Sequence, residues 1–328
     1  MKQEAFETKY AGDWSRLSDW TEALSQPRKA RADRVDIETI GGQFPALYRK
    51  VCHHLALARA RRYSGDLQAR LNQLALAGHQ HLYRTRLPVF SAILRFFARD
   101  FPRAVRQHWR YMAVASGLFF GPLIALIFAV QLQPALVYSV LDAGSVSSME
   151  AMYDPENNVL GRERESETDV AMFGYYIFNN IGIGFRTFAG GLLFGIGSIF
   201  FLAFNGVVIG AVAGHLTQVG YGETFWQFVA GHSAFELTAI AIFGAAGLMI
   251  GMGALSPGRR KRWHAIQDQA RAALPLVYGG TAFLVAAAFV EAFWSSTTWP
   301  PAMSKYAVGM LLWLLVFLYL LVFGRNEA

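Results

Sequence analysis

At 328 residues the chain is long enough for two ordinary domains, yet 54% of it is hydrophobic and only 16% charged, against about 45–50% and about 25% in soluble globular proteins. That balance excludes a wholly water-soluble protein. The formal net charge of +7 is lopsided, because residues 1–110 hold 20 Lys+Arg against 10 Asp+Glu and residues 111–328 hold 10 against 13.

The first elements read as helices. Trp14, Leu17, Trp20 and Leu24 recur at helical spacing, and Leu47, Tyr48, Val51, Cys52 and Leu55 form a stripe within 44–62 with arginines opposite. Ser64-Gly65-Asp66 interrupts the pattern before Leu67, Leu71, Leu74 and Leu82 resume it, which predicts a helical hairpin. Its His53, His54, His79 and His81 invite a metal-site reading. Antiparallel pairing about Gly65 sets Tyr48 opposite His81, and no carboxylate or thiolate completes a set, so ordinary partly buried histidines are expected, with no metal and no cofactor. Cys52, the single cysteine, excludes an intrachain disulfide framework. The first 20 residues contain no apolar run, so no cleavable leader is expected. Residues 1–86 are expected to form a basic helical domain in the cytoplasm, its charge serving anionic lipid rather than nucleic acid.

Residues 87–110 carry Val89, Ile93, Phe96, Phe97 and Phe101 on one face, with Arg95, Arg99, Arg103, Arg106 and Arg110. That pattern predicts a helix lying along the membrane surface, its arginines facing lipid headgroups. Residues 111–328 then read as the transmembrane domain. Met112 to Leu132 spans about 30 Å of hydrocarbon. The stretch 133–170 has eight acids against two arginines, which places it outside by the positive-inside rule. Phe173 to Val219 is long enough for two spans, with the break predicted at Asn205-Gly206. Phe225 to Leu255 follows, then a basic segment, 256–272, expected in the cytoplasm, and further spans over Ala273–Trp294 and Ala307–Phe323. The fold class is therefore all-α, a polytopic transmembrane bundle of about six spans with both termini inside.

Small residues recur four apart at Gly191/Gly195, Gly206/Gly210/Gly214 and Gly247/Gly251, a spacing that permits close helix packing. Packing within the chain is expected over a dedicated dimer seam, although a homodimer fits the same pattern. His232 and Glu236 share a helix face, with Glu236 about 16 Å past Phe225 and so near the midplane. A carboxylate there costs about 2.5–3.5 kcal/mol on insertion scales. It should face the bundle interior, with His232 and an asparagine, Asn180 or Asn205, as partners. Arg186 and Glu291 form a second expected pair at the outer interface, conditional on the span of Arg186 beginning after it.

Four ordered motifs, Phe178-Asn179-Asn180, Ala189-Gly190-Gly191 through Gly195 to Gly197, Phe204-Asn205-Gly206 through Gly210, and Gly231-His232-Ser233 through Glu236 to Ile240, closely resemble the stage II sporulation protein M family of integral membrane proteins. Leu47-Tyr48-Arg49, Leu55 to Arg59, Leu82-Tyr83-Arg84 and Phe101-Pro102-Arg103 resemble its longer bacterial members. Ala230-Gly231-His232-Ser233 departs from the family's usual Pro-His-Gly. The resemblance implies a bacterial plasma-membrane protein without an assigned reaction. The leading expectation is a non-catalytic scaffold whose partners are the lipid bilayer and other membrane or cytoplasmic proteins, with no nucleic acid. The alternative is a proton- or cation-linked transporter or channel using His232 and Glu236. An intramembrane hydrolase is the weakest reading, since His232-Ser-Ala-Phe-Glu236 lacks the second histidine of a zinc protease and no serine lies in a nucleophile elbow.

Overall fold

A computed structural model of the chain describes residues 1–25, 37–82, 89–156, 169–297 and 299–325. Among these every regular element is helical. The described residues divide into two compact units, Met1–Ser91 and Ala92–Ala328. Leu87-Pro88, Tyr83-Arg84 and, within the acidic stretch, Arg162 to Glu167 lie outside the described residues.

The first unit holds three mutually packed helices, α1 (Gln3–Ser25), α2 (Ile37–Ala60) and α3 (Gly65–Leu82). Their core is Phe6, Trp14, Leu17, Leu47, Val51, Leu55, Ala58, Leu67 and Leu71, whose three- and four-residue spacing puts one stripe of each helix inward. Arg62, at φ +52°, turns the chain between α2 and α3. The ring of Tyr48 lies against Gly78, where a methyl group would stand 2.8 Å from it. That is one turn before the pairing with His81 expected from the turn, because the bare glycine leaves room for the ring.

In the second unit, α4 (Val89–Arg95, which begins in the first) runs through a π-helical turn, Phe96–Asp100, into α5 (Phe101–Gln107). The residues of the expected surface helix are divided between exposed and buried positions. Val89, Phe90, Ile93 and Leu94 are exposed, whereas Phe101 is fully buried beside Gly279, Phe283 and Tyr319. Arg106 donates to the carbonyl of Leu320 at 2.7 Å, and Arg110 stands over the ring of Trp109.

The long helices follow as α6 (Trp109–Leu132), α7 (Ala143–Tyr153), α8 (Asp169–Ala189), α9 (Ile196–Gln218), α10 (Gly222–Leu255), α11 (Arg262–Val290) and α12 (Ala302–Val322). Five segments among the described residues are long and apolar enough to cross a membrane: α6, α9, α10, α11 with its π-helical extension to Ser295, and α12. The other expected span corresponds to α8, which carries Asn179, Asn180 and Arg186. Helix α10 is the axis of the bundle. In its most apolar window 83% is buried, against 22% in α6 and α12, and α6, α8, α9, α11 and α12 all pack on it.

One expectation needs correction. The break in 173–219 is not at Asn205-Gly206, which lies inside α9. It falls at Gly190–Gly195, where a 3₁₀ turn, Gly190–Leu192, is followed by Phe194 at φ +55° and Gly195 at φ +83°. Gly195 meets no steric cost at this angle. Asn205 does not break the helix because its Nδ2 donates to the Phe201 carbonyl one turn back, at 2.7 Å. Gly206 is a packing site, since a methyl group there would strike the carbonyl of Phe119.

Candidate functional site

The glycines sit at backbone-to-backbone contacts within the chain. Gly206, Gly210 and Gly214 of α9 face the carbonyls of Phe119, Leu123 and Ile127 of α6, so a four-residue ladder on one helix meets a four-residue ladder on the other. Gly191 lies on Gly247, and Gly195 on Gly251. The second pair of contacts locks the α8–α9 break against α10. Across that break Ser198 donates to the Thr187 carbonyl at 2.6 Å, which leaves no buried hydroxyl unused there.

This rigid packing fixes the phase of α10 and thereby aims its polar face at the end of α11. His232 is 5% exposed, and its Nε2 lies 3.7 Å from Oε2 of Glu236, one turn on. Glu291 joins them from the π-helical turn Glu291–Ser295. One ligand-type atom from each of His232, Glu236 and Glu291 lies within 4.8 Å of the other two. A π-helical turn inside a longer helix is frequently found at functional sites.

His232 and Glu291 are oriented from behind. The other ring nitrogen of His232, Nδ1, is 3.0 Å from the hydroxyl of Ser295. The imidazole edge rests on Phe228, ring centroids 5.2 Å apart. Asn180 of α8, itself buried, donates its amide to Glu291 Oε2 at 3.4 Å and accepts from Asn179 at 3.0 Å. Beyond the turn, Lys305 of α12 is fully buried and donates from Nζ to the Ser295 carbonyl at 2.9 Å and to the Thr297 carbonyl. Trp313 donates to Ser233 at 3.1 Å.

Of the residues singled out from the sequence, His232, Glu236 and Asn180 come together, and Asn205 does not join them. The expected Arg186–Glu291 pair is not formed. Arg186 is exposed and returns its Nε to the Gly182 carbonyl of its own helix at 3.0 Å. Six residues separate it from Asn180, about 9 Å along α8 and about 240° around it, so the two point to different faces. Ser295 and Lys305 escaped notice. Lys305 had a signal, as the only charge between Ala292 and Gly324. The four N-terminal histidines do not gather. His54 accepts from the Trp14 indole at 3.1 Å, and His81 meets Ser25 at 3.0 Å.

Chemically, two carboxylates and an imidazole this close inside a low-dielectric bundle are able to share protons or to hold a positive ion. Their negative charge needs either shared protons or a bound positive ion to be tolerated. Residues 4–84 match a domain of unknown function, DUF8413. No curated protein and no solved structure matches the chain. A family model for stage II sporulation protein M matches residues 113–296, the segment holding α9, α10, α11 and every member of this buried centre, and the chain belongs to that family of membrane proteins.

Proposed function

We propose that the protein moves or couples a cation, proton or metal ion, across a bacterial plasma membrane, with His232, Glu236 and Glu291 as the binding centre. The observation that carries this reading is the convergence of these three groups within 4.8 Å on α10 and the end of α11, in a bundle whose helices are long enough to span. A structural tether would need one acid and one base; a second carboxylate makes the centre selective for positive charge. The acidic side, 133–170, is assigned outside and the basic side, 256–272, to the cytoplasm with both termini. No catalysed reaction is proposed. Reconstituted full-length protein in liposomes is expected to pass protons or metal ions down an imposed gradient, and Glu236→Gln to cut that flux at least tenfold. Equal flux in wild type and variant would remove the reading.

A second reading, a scaffold for other membrane or cytoplasmic proteins, is supported by the N-terminal unit Met1–Ser91 being compact by itself and matching a separate family model. Purification in mild detergent should then recover stable partners; an isolated subunit would count against it.

A further inference from the structure

We infer that His232, Glu236 and Glu291 form a site for one divalent first-row transition metal ion, with zinc the best fit. The inference rests on the cation-binding reading above and names the cation.

Three features point to a metal ion. The donor set is one imidazole nitrogen and two carboxylates, which suits zinc and its neighbours; magnesium and calcium prefer oxygen alone. The charge also closes, since two carboxylates, one neutral imidazole and one divalent ion sum to zero. The ligands and their ion then add no net charge beside the buried Lys305 ammonium, which is held separately by the carbonyls of Ser295 and Thr297.

The third feature is the shell behind the ligands. A metal-bound histidine nearly always has its second ring nitrogen held by a hydrogen-bonding partner, and ligating carboxylates are themselves hydrogen-bonded. Here Ser295 holds His232 Nδ1 at 3.0 Å, leaving Nε2 facing Glu236, while Asn180 holds Glu291 Oε2. With bonds of about 2.0–2.1 Å, ligand atoms in a filled tetrahedral site stand about 3.4 Å apart. The three atoms now lie within 4.8 Å of one another, so a bound ion requires them to draw together, and Glu236 is the less buried of the two acids. Three protein ligands leave a fourth position for water or an exchangeable group, the pattern of a working site as opposed to a purely structural one.

The test uses full-length protein carrying an affinity tag without histidine, stripped with chelator in detergent and titrated with zinc. About one equivalent should bind, zinc should raise the melting temperature, and zinc-edge X-ray absorption should show nitrogen and oxygen donors without sulfur. His232→Asn and Glu291→Gln should each lower affinity at least tenfold. Ser295→Ala, which removes only the partner of the ring, should lower it about tenfold or more. His79→Asn/His81→Asn should bind as wild type. The absorption spectrum of wild-type protein decides even where a ligand variant fails to fold. Absence of stoichiometric zinc, a sulfur-rich shell, or undiminished affinity in His232→Asn and Glu291→Gln would overturn the inference. Glu236-dependent proton flux without zinc binding would leave the transport reading standing while this one fails; tight zinc binding without flux would do the reverse.

Discussion

Lys305 shows how one side chain can hold two elements in place. Its ammonium group is buried between the carbonyls that close the π-helical turn of α11, at Ser295 and Thr297. Hydrogen bonds to a charged group contribute about 1.5–3 kcal/mol, and stranded buried acceptors cost about 1–3 kcal/mol. Lys305→Met should therefore lower the melting temperature of the detergent-solubilised protein by several degrees, measured by scanning fluorimetry; an unchanged value would mean that the carbonyls find another donor.

His54 makes a different prediction. Burial holds its pKa below the ordinary 6.5, although Asp13 pulls the other way. The geometry agrees, because Nδ1 accepts from Trp14 and cannot do so once protonated. The unfolded chain takes up the proton first, so this contribution to stability is complete above about pH 6.5 and drains away as pH falls below it. Amide exchange in α1 and α2, corrected for intrinsic rates, should accelerate between pH 7.5 and pH 5.5 by local opening. His54→Gln should flatten that dependence. The polar pair on α10 could be found in the sequence because an acid four residues from a histidine in an apolar helix has few explanations. Glu291 was paired with the wrong partner, since the acid sits in a π-helical turn that no spacing rule marks, and that turn aims it at His232 and Glu236 instead of Arg186.

Between helices, the deciding quantity is how closely backbones approach. Gly206 and Gly210 bring α9 onto the carbonyls of α6, and a side chain larger than hydrogen has nowhere to go. Overpacking of this kind costs about 1–3 kcal/mol, more when the obstacle is backbone. Gly206→Val should lower the melting temperature or abolish folded yield, while Gly117→Val, on α6 where nothing lies within 4 Å, should be tolerated. Four-residue glycine spacing was readable, and so was its purpose. The interruption after α8 was not read correctly, because Asn-Gly and Gly-Gly both signal turns in water. In a bundle, an asparagine that bonds its own helix, as Asn205 does with Phe201, keeps the segment helical, and the left-handed Phe194-Gly195 step takes the turn instead.

For the molecule as a whole, composition and charge asymmetry sufficed for the class, while the two units divide at Ser91/Ala92, inside the basic stretch that runs to residue 110. The number of crossings was harder, because α8 is long enough but too polar to stand among the five apolar segments. Its asparagines are used inward, where Asn180 supports Glu291.

Length has one more implication. Helix α10 and the segment Arg262–Ser295 each contain 34 residues, about 51 Å at 1.5 Å per residue. Fitting that inside about 30 Å of hydrocarbon by tilt alone would need roughly 54°, beyond the 0–40° seen for spanning helices. The pair must overshoot, and the charged opening turns of α11, Arg262 to Arg271, together with the end of α10 where Gly253 lies on Ala265, are the portion suited to water. This paired stalk continues as helix from the headgroup region to the buried centre, with Pro275 of α11 as the one position on that helix where a missing backbone donor favours a bend.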